Sequence, residues 1–210
     1  MRDLILKMSM SIDGFVGGPD GEVKWVFNND QVATAWTLAI IWNAGLHIMG
    51  SRTFHDMVSY WPTSTEVFAP PMNQIPKAVF SKQGSAALKT VTTTAALRDT
   101  RAHAGTGQSA ELQPGGESWT KAYVASGDLA EEVAKLKAQE GKPIIAHGGA
   151  GFARSLVARG LVDQYVLLVH PIALGKGLAV FSDLAMPRPL TLISATAFPA
   201  GSVAHIYRPA

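Results

Sequence analysis

Hydrophobic alternation opens the chain. Over residues 4–12 a dense apolar run passes into every-second-residue alternation, which predicts a buried strand. Segment 13–21 carries four glycines and a proline and reads as a loop. Asn28-Asn29-Asp30 then supplies capping side chains for a helix whose Val32, Ala35, Trp36, Ala39, Ile40 and Asn43 recur at helical spacing as one stripe. Leu46-His47-Ile48-Met49 is a short strand ending at Gly50, with a new helix starting at Ser51 or Arg52. A third strand covers 77–81 and a short one 122–124. Ser126 is placed to cap a helix over 128–139 that faces Leu129, Val133 and Leu136 inward and pairs Glu131 with Lys135. A strand over 142–146 turns through His147-Gly148-Gly149-Ala150-Gly151 into a helix ending near Gly160. Residues 162–170 form a strand too apolar to be exposed on either face. Strands over 190–195 and 203–207 flank Pro199-Ala200-Gly201 as a closing hairpin.

Strands alternating with helices predict an α/β fold: a mainly parallel sheet, helices on both faces, and an antiparallel C-terminal hairpin. The pattern shows no repeat and no domain boundary, so 1–210 reads as a single domain. One stretch breaks the pattern. About 83–118 is dominated by Ala, Thr, Gly, Gln and Ser, which marks a low-complexity insertion ordered in part against something else.

Composition narrows the function classes. The chain is 47% hydrophobic and 16% charged, enough to bury a core and unlike a disordered chain. Its 18 basic and 16 acidic residues form no basic block, so nucleic acid is not an expected partner. The absence of cysteine removes disulfides, thiolate nucleophiles and cysteine metal sites together. No apolar run reaches the roughly 20 residues of a membrane helix, and the N-terminal run is too short for a signal peptide. The expectation is a cytoplasmic protein with no membrane partner. The six histidines have no metal-ligand spacing, so no metal is expected; His147 and His170 both end predicted strands and read first as satisfied structural histidines and second as neighbours of a cleft. No GxSxG elbow is present.

Three segments carry candidate chemistry. Gly50-Ser51-Arg52-Thr53 joins a strand to a helix and fits either a phosphate-holding turn or an ordinary connection with a solvated arginine. Gly148-Gly149-Ala150-Gly151-Phe152 repeats the arrangement but fails the GxGxxG fingerprint, because the third glycine position holds Arg154. It marks a close approach of backbone to ligand or of helix to strand. Asp13, at the carboxyl end of the first strand, reads first as a turn-former bonding its own backbone and second as a group orienting substrate.

Taken in order, Ser11-Ile12-Asp13-Gly14-Phe15, Met49-Gly50-Ser51-Arg52-Thr53-Phe54 with Trp61-Pro62, and Val79-Phe80-Ser81-Lys82 look like the dihydrofolate reductase superfamily. With His147-Gly148-Gly149-Ala150, Gly160-Leu161-Val162-Asp163-Gln164-Tyr165 and Pro171-Ile172-Ala173-Leu174-Gly175-Lys176-Gly177 closed by Phe181, the chain resembles the reductase domain of riboflavin-biosynthesis deaminase-reductases and its stand-alone relatives. The resemblance spans most of the chain. It implies a three-layer dihydrofolate-reductase-like fold, a homodimer, and NADPH bound without a Rossmann fingerprint.

By that resemblance Gly50, Ser51, Arg52 and Thr53 hold phosphates, and Ser81 and Lys82 sit near the adenosine 2′-phosphate. Gly148, Gly149, Ala150, Gly151 and Phe152 cradle the pyrophosphate and nicotinamide ribose. Met10 and Ser11 lie beside the nicotinamide, which leaves Asp13 as the catalytic candidate near a small-molecule substrate. The implied chemistry is hydride transfer to a C=N or C=O carbon, as in 5-amino-6-(5-phosphoribosylamino)uracil reductase. Dihydrofolate or pterin reduction, and a non-catalytic nucleotide-binding protein of the same fold, are the alternatives. Two features depart from the family. Ser51 stands where relatives carry arginine, which shifts or weakens the phosphate contact. The insertion before Trp119 is longer than expected. Asp30 reads as a helix cap rather than as the acidic residue that faces the pterin in dihydrofolate reductases.

Overall fold

The computed structural model describes residues 1–88, 94–105 and 107–210. Eight strands form one sheet in the order β4-β3-β2-β5-β1-β6-β8-β7. The strands are β1 (Leu4–Ser11), β2 (Leu46–Gly50), β3 (Lys77–Phe80), β4 (Tyr123–Ala125), β5 (Ile144–Ala146), β6 (Gln164–His170), β7 (Leu190–Ala197) and β8 (Val203–Pro209). The pairings from β4 across to β6 are all parallel, while β8 runs antiparallel to β6 and β7 to β8. The expected mainly parallel sheet with a closing hairpin is observed. Gly201, at φ +87, completes the hairpin turn with its N–H on the carbonyl of Phe198.

Helices cover both faces. α5 (Leu129–Ala138) and α6 (Ala150–Ala158) pack Val133, Leu136, Ala153, Leu156 and Val157 onto one face, against Leu4, Leu6, Met8 and Met10 of β1. On the other face lie α1 (Gln31–Trp42), α2 (Ser51–Val58) and the short α3 (Ala69–Gln74), through Ile41, Phe54 and Met72. β6 is buried along most of its length between β1 and β8, as its unbroken apolar run requires.

Three local expectations are corrected. α1 turns its Ala33, Thr37 and Ile41 inward, one position along from the expected stripe, and leaves Val32 55% exposed. Its sequence is apolar nearly all round, so no polar face fixes the register. α5 is capped by Asp128, whose carboxylate accepts from the N–H groups of Ala130 and Glu131, rather than by Ser126. Lys135 pairs with Glu132 at 3.0 Å, not with Glu131.

Much of the expected 83–118 insertion is ordered; positions 89–93 and 106 lie outside the described residues. It contains α4 (Ala95–Ala104), which is capped by Thr94. The buried Asp99 of α4 accepts from the N–H of Val23 at 2.7 Å, and His103 stacks on Phe27 at 4.5 Å. Thr94 also donates to Asp56 of α2 at 2.6 Å. The insertion therefore ties the β1–α1 loop to α2. Among the described residues no helix is long and apolar enough to cross a membrane.

Candidate active site

Open α/β sheets bind ligands where neighbouring strands send their helices to opposite faces. β5 leads into α6 on one face, while β1 and β2 on either side of it lead into α1 and α2 on the other. The crevice therefore opens at the carboxyl end of β5, where Gly148 and Gly149 lie.

Close packing explains the glycines there. Gly148 has φ +80, and a Cβ on it would stand 3.1 Å from the Met8 sulfur. A Cβ on Gly149 would stand 2.9 Å from Thr53 Oγ1, the atom that accepts the Gly149 N–H at 2.6 Å. A Cβ on Gly50 would stand 3.2 Å from the Phe152 Cβ, and the Phe152 ring packs on Phe80 at 5.0 Å between centroids. Thus Gly50 to Thr53, Ser81 with Lys82, and Gly148 to Phe152 form one continuous rim at the ends of β2, β3 and β5. Arg52 and Lys82 are exposed on it, and a Cβ on Gly151 would meet open space.

Helix capping divides the molecule. α1, α4 and α5 begin with Asp30, Thr94 and Asp128, whose side-chain oxygens accept first-turn N–H groups. α2 and α6, like the short α3, lack a side-chain cap, and α2 and α6 begin at Gly50 and Gly149 on the crevice. Their first-turn amides, with the positive end of each helix dipole, face the rim and suit an anionic ligand.

The remaining expected residues lie at or just past the carboxyl end of β1. Met10 is packed among the core side chains under α5 and α6. Ser11 donates to Asp13 at 2.5 Å, and its oxygen accepts from the N–H of Phe15. The Asp13 carboxylate also accepts from the N–H groups of Leu174 and Gly175, which fastens segment 171–177 to the end of β1. Those bonds hold it below the usual carboxylate range, the Ser11 hydroxyl contributing most. The carboxylate is exposed at the end of β1 while it accepts these hydrogen bonds.

A set of polar residues on the α1 face escaped the sequence reading. On β1, Lys7, Ser9 and Ser11 share one face, opposite Leu6, Met8 and Met10. His47 of β2 is fully buried, lies beside Lys77 in the ladder, and meets His147 with ring centroids 4.5 Å apart. His170, 2% exposed, stands opposite Ser11, and the Trp25 indole approaches its ring edge-on at 5.4 Å. Desolvation lowers Lys7 to about 8, Lys77 to about 7, His147 to about 3 and His170 to about 4. Lys77 is held at the start of β3 by the Asn73 carbonyl and the Ser118 hydroxyl, under the ring of Trp119. The available signal was the lysine within the alternating first strand, since core positions rarely carry an unpaired charge.

The model of the RibD C-terminal domain matches residues 2–204. The chain belongs to the RibD C-terminal domain family. Within curated proteins it is 26% identical over 206 residues to the uncharacterized protein YyaP of Bacillus subtilis, covering 98% of this chain and 94% of that one. Among solved structures it resembles a putative riboflavin biosynthesis protein of Shewanella sp. PV-4, with a TM-score of 0.68, 20% identity and coverage of 100% and 99%. A diaminohydroxyphosphoribosylaminopyrimidine deaminase/5-amino-6-(5-phosphoribosylamino)uracil reductase of Thermotoga maritima matches with a TM-score of 0.63 and 15% identity, over this whole chain and 57% of that longer one. Dihydrofolate reductase of Enterococcus faecalis, solved with NADP(H), matches with a TM-score of 0.57 and 11% identity, over 99% and 96%. The RibD C-terminal domain fold of this chain is thus dihydrofolate-reductase-like.

Proposed function

We propose that this RibD C-terminal family chain is an NADPH-dependent reductase that transfers a hydride to a C=N or C=O carbon of a small heterocyclic substrate. The chemistry is of the kind named in 5-amino-6-(5-phosphoribosylamino)uracil reductase. The observation that carries the reading is the rim formed by the uncapped starts of α2 and α6, joined by the Thr53–Gly149 hydrogen bond. Paired first-turn amides at the ends of adjacent parallel strands fit a pyrophosphate.

The residues present fit the cofactor in sequence along that rim. Gly50 to Thr53 and Gly148 to Phe152 would hold the phosphates, while Ser81 and the exposed Lys82 would meet the 2′-phosphate. When bound, NADPH supplies the hydride. Met10 and Ser11 would border the nicotinamide through their main chain, because one side chain is core and the other is bonded to Asp13. Asp13 would keep segment 171–177 closed against the substrate side, so that donor and acceptor carbons stay aligned and water stays out. The dihydrofolate alternative loses support from Asp30, whose carboxylate is taken up by the N–H groups of Val32, Ala33 and Ala200.

The same reading makes residues 1–210 one cytoplasmic reductase domain with an insertion, working as a homodimer. β7 supports the dimer: it is an edge strand exposed on both faces, with Leu192 and Ile193 each more than half exposed. Sedimentation should show a dimer that Ile193→Asp converts to monomer.

Thermal stabilisation tests the cofactor. A ligand that binds only the folded state adds about 2.7 kcal/mol at 100 times its dissociation constant. Stabilisation by NADPH and not by NADH is expected, and no effect of either at millimolar concentration would end the reductase reading.

A further inference from the structure

The β1–α1 loop is tied down differently along its length. Its first part, 15–18, is stitched to the segment after β6. There the Val16 N–H donates to the Leu178 carbonyl and the Leu178 N–H to the Gly17 carbonyl. A Cβ on Gly177 would stand 2.3 Å from that Gly17 oxygen, so the two stretches have no room to slide. A tight turn follows, closed by the Gly21 N–H on the Gly18 carbonyl with Gly21 at φ +84. Beyond it the chain runs through a single 3-10 turn, Lys24–Val26, to the Asp30 cap of α1. Among the described residues the backbone hydrogen bonds of 23–27 stay within that turn, apart from the one that Val23 gives to Asp99.

The insertion therefore supplies the hold on 23–27. Asp99 of α4, 7% exposed, accepts the Val23 N–H and lies 4.0 Å from the exposed Lys24 ammonium, while His103 stacks on Phe27. α4 is itself fixed to α2, by Thr94 on Asp56 and by Arg101 on the Ser59 carbonyl. An apolar side chain in place of a buried carboxylate is often neutral or stabilising, so Asp99 is better explained by what it orients than by folding. What it orients is Trp25. That indole meets His170 nearly at right angles, 5.4 Å between centroids, and His170 lies opposite Ser11 in the ladder. Trp25 Nε1 and His170 Nε2 are both buried without a hydrogen-bond partner. Parting these rings therefore breaks no hydrogen bond, and the loop can leave the sheet once α4 lets it go.

We infer that Asp99 and His103 are positioning residues which, acting through Val23 and Phe27, latch 23–27 as a flap that holds Trp25 over the carboxyl end of β1. The inference rests on the reductase reading, which puts the nicotinamide beside Met10 and Ser11. The flap turns about Gly18–Gly21 while 15–18 stays stitched in place. Because the latch is already closed in the ligand-free chain, it governs entry as well as exit. Its base on α2 joins it to the helix whose start lies on the cofactor rim.

Stopped-flow binding and displacement of NADPH by the full-length protein, followed by the fluorescence of the cofactor, tests the inference. Asp99→Leu should raise both the association and the dissociation rate about tenfold, the increment of one charge-assisted hydrogen bond. His103→Ala, at an exposed site that does not endanger folding, should raise both about threefold. Asp99→Asn keeps an oxygen that can accept the Val23 N–H and should restore most of the original rates. A merely structural defect would weaken binding without speeding association. Association no faster in either variant, or Asp99→Asn behaving like Asp99→Leu, would overturn the inference. Amide hydrogen exchange of the ligand-free proteins separates it from the reading on which it rests. If the unaltered protein binds no NADPH, the reductase reading ends, and exchange decides the latch. Faster exchange at 24–27 in both variants, with 15–18 unchanged, sustains it; equal exchange at 24–27 removes it.

Discussion

One strand shows two kinds of interior. Toward α5 and α6, β1 presents Leu4, Leu6, Met8 and Met10 to a cluster of apolar side chains from both helices. Toward α1 it presents Ile5, Lys7, Ser9 and Ser11, among His47, His147 and His170. Both layers are covered by helices, yet only one is built for stability. The apolar layer gains from area removed from water and leaves the Tyr165 hydroxyl without a hydrogen bond, whereas the basic layer leaves nitrogens of His47, His147 and His170 so. The two layers thus differ in how much buried polar surface they leave unsatisfied.

The sharpest way to break this comparison uses adjacent residues of β1. Leu6→Ala, which empties a fully buried site, should cost about 3 kcal/mol in chemical unfolding. Lys7→Met should be neutral or stabilising. A comparable loss from both would show that the two layers play the same role.

Next in size is the dependence on pH. The folded pKa values of His147 and His170, about 3 and about 4, lie below the ordinary 6.5. The unfolded chain therefore binds more protons in that window, and stability falls as pH drops from 6.5 toward 4. The folded pKa of Lys7, about 8, lies below its ordinary 10.5, so stability rises as pH climbs between those values. Unfolding midpoints taken across both windows should lose the alkaline rise in part with Lys7→Met and the acid fall in part with His170→Asn.

The rim predicts smaller effects. Lys82→Ala or Arg52→Ala should weaken NADPH about tenfold, one charge-assisted contact, with unchanged unfolding because both side chains are exposed. Thr53→Val removes the acceptor of the Gly149 N–H and should cost about 1 kcal/mol of stability. It should also loosen cofactor binding, since the two turns then lose their tie.

Much of this was legible in the chain. Strand alternation, the Gly50 and Gly148 turns and the Asp30 cap all follow from local chemistry, and local chemistry decided them. α1 was misjudged by one position because both of its sides are apolar, so the inward face is chosen by β6 and β8 rather than by its own pattern. α4 was hidden in Ala- and Thr-rich sequence because Asp99 and His103 gain their partners from a loop some 75 residues away. Lys7 stood in plain sight on β1. Its meaning depends on which strands flank it, and ladder order is invisible in a single sequence. The backbone donors that Leu174 and Gly175 bring to Asp13 from the far end of the chain are likewise invisible in a single sequence.

The central claim is that the uncapped starts of α2 and α6 hold a dinucleotide. Amide hydrogen exchange with and without NADPH tests it directly. The account predicts slowed exchange at the first-turn amides of α2 and α6, residues 51–53 and 150–152, with little change at the capped starts of α1, α4 and α5. Protection absent from those two turns, or equal at the capped helices, would contradict it.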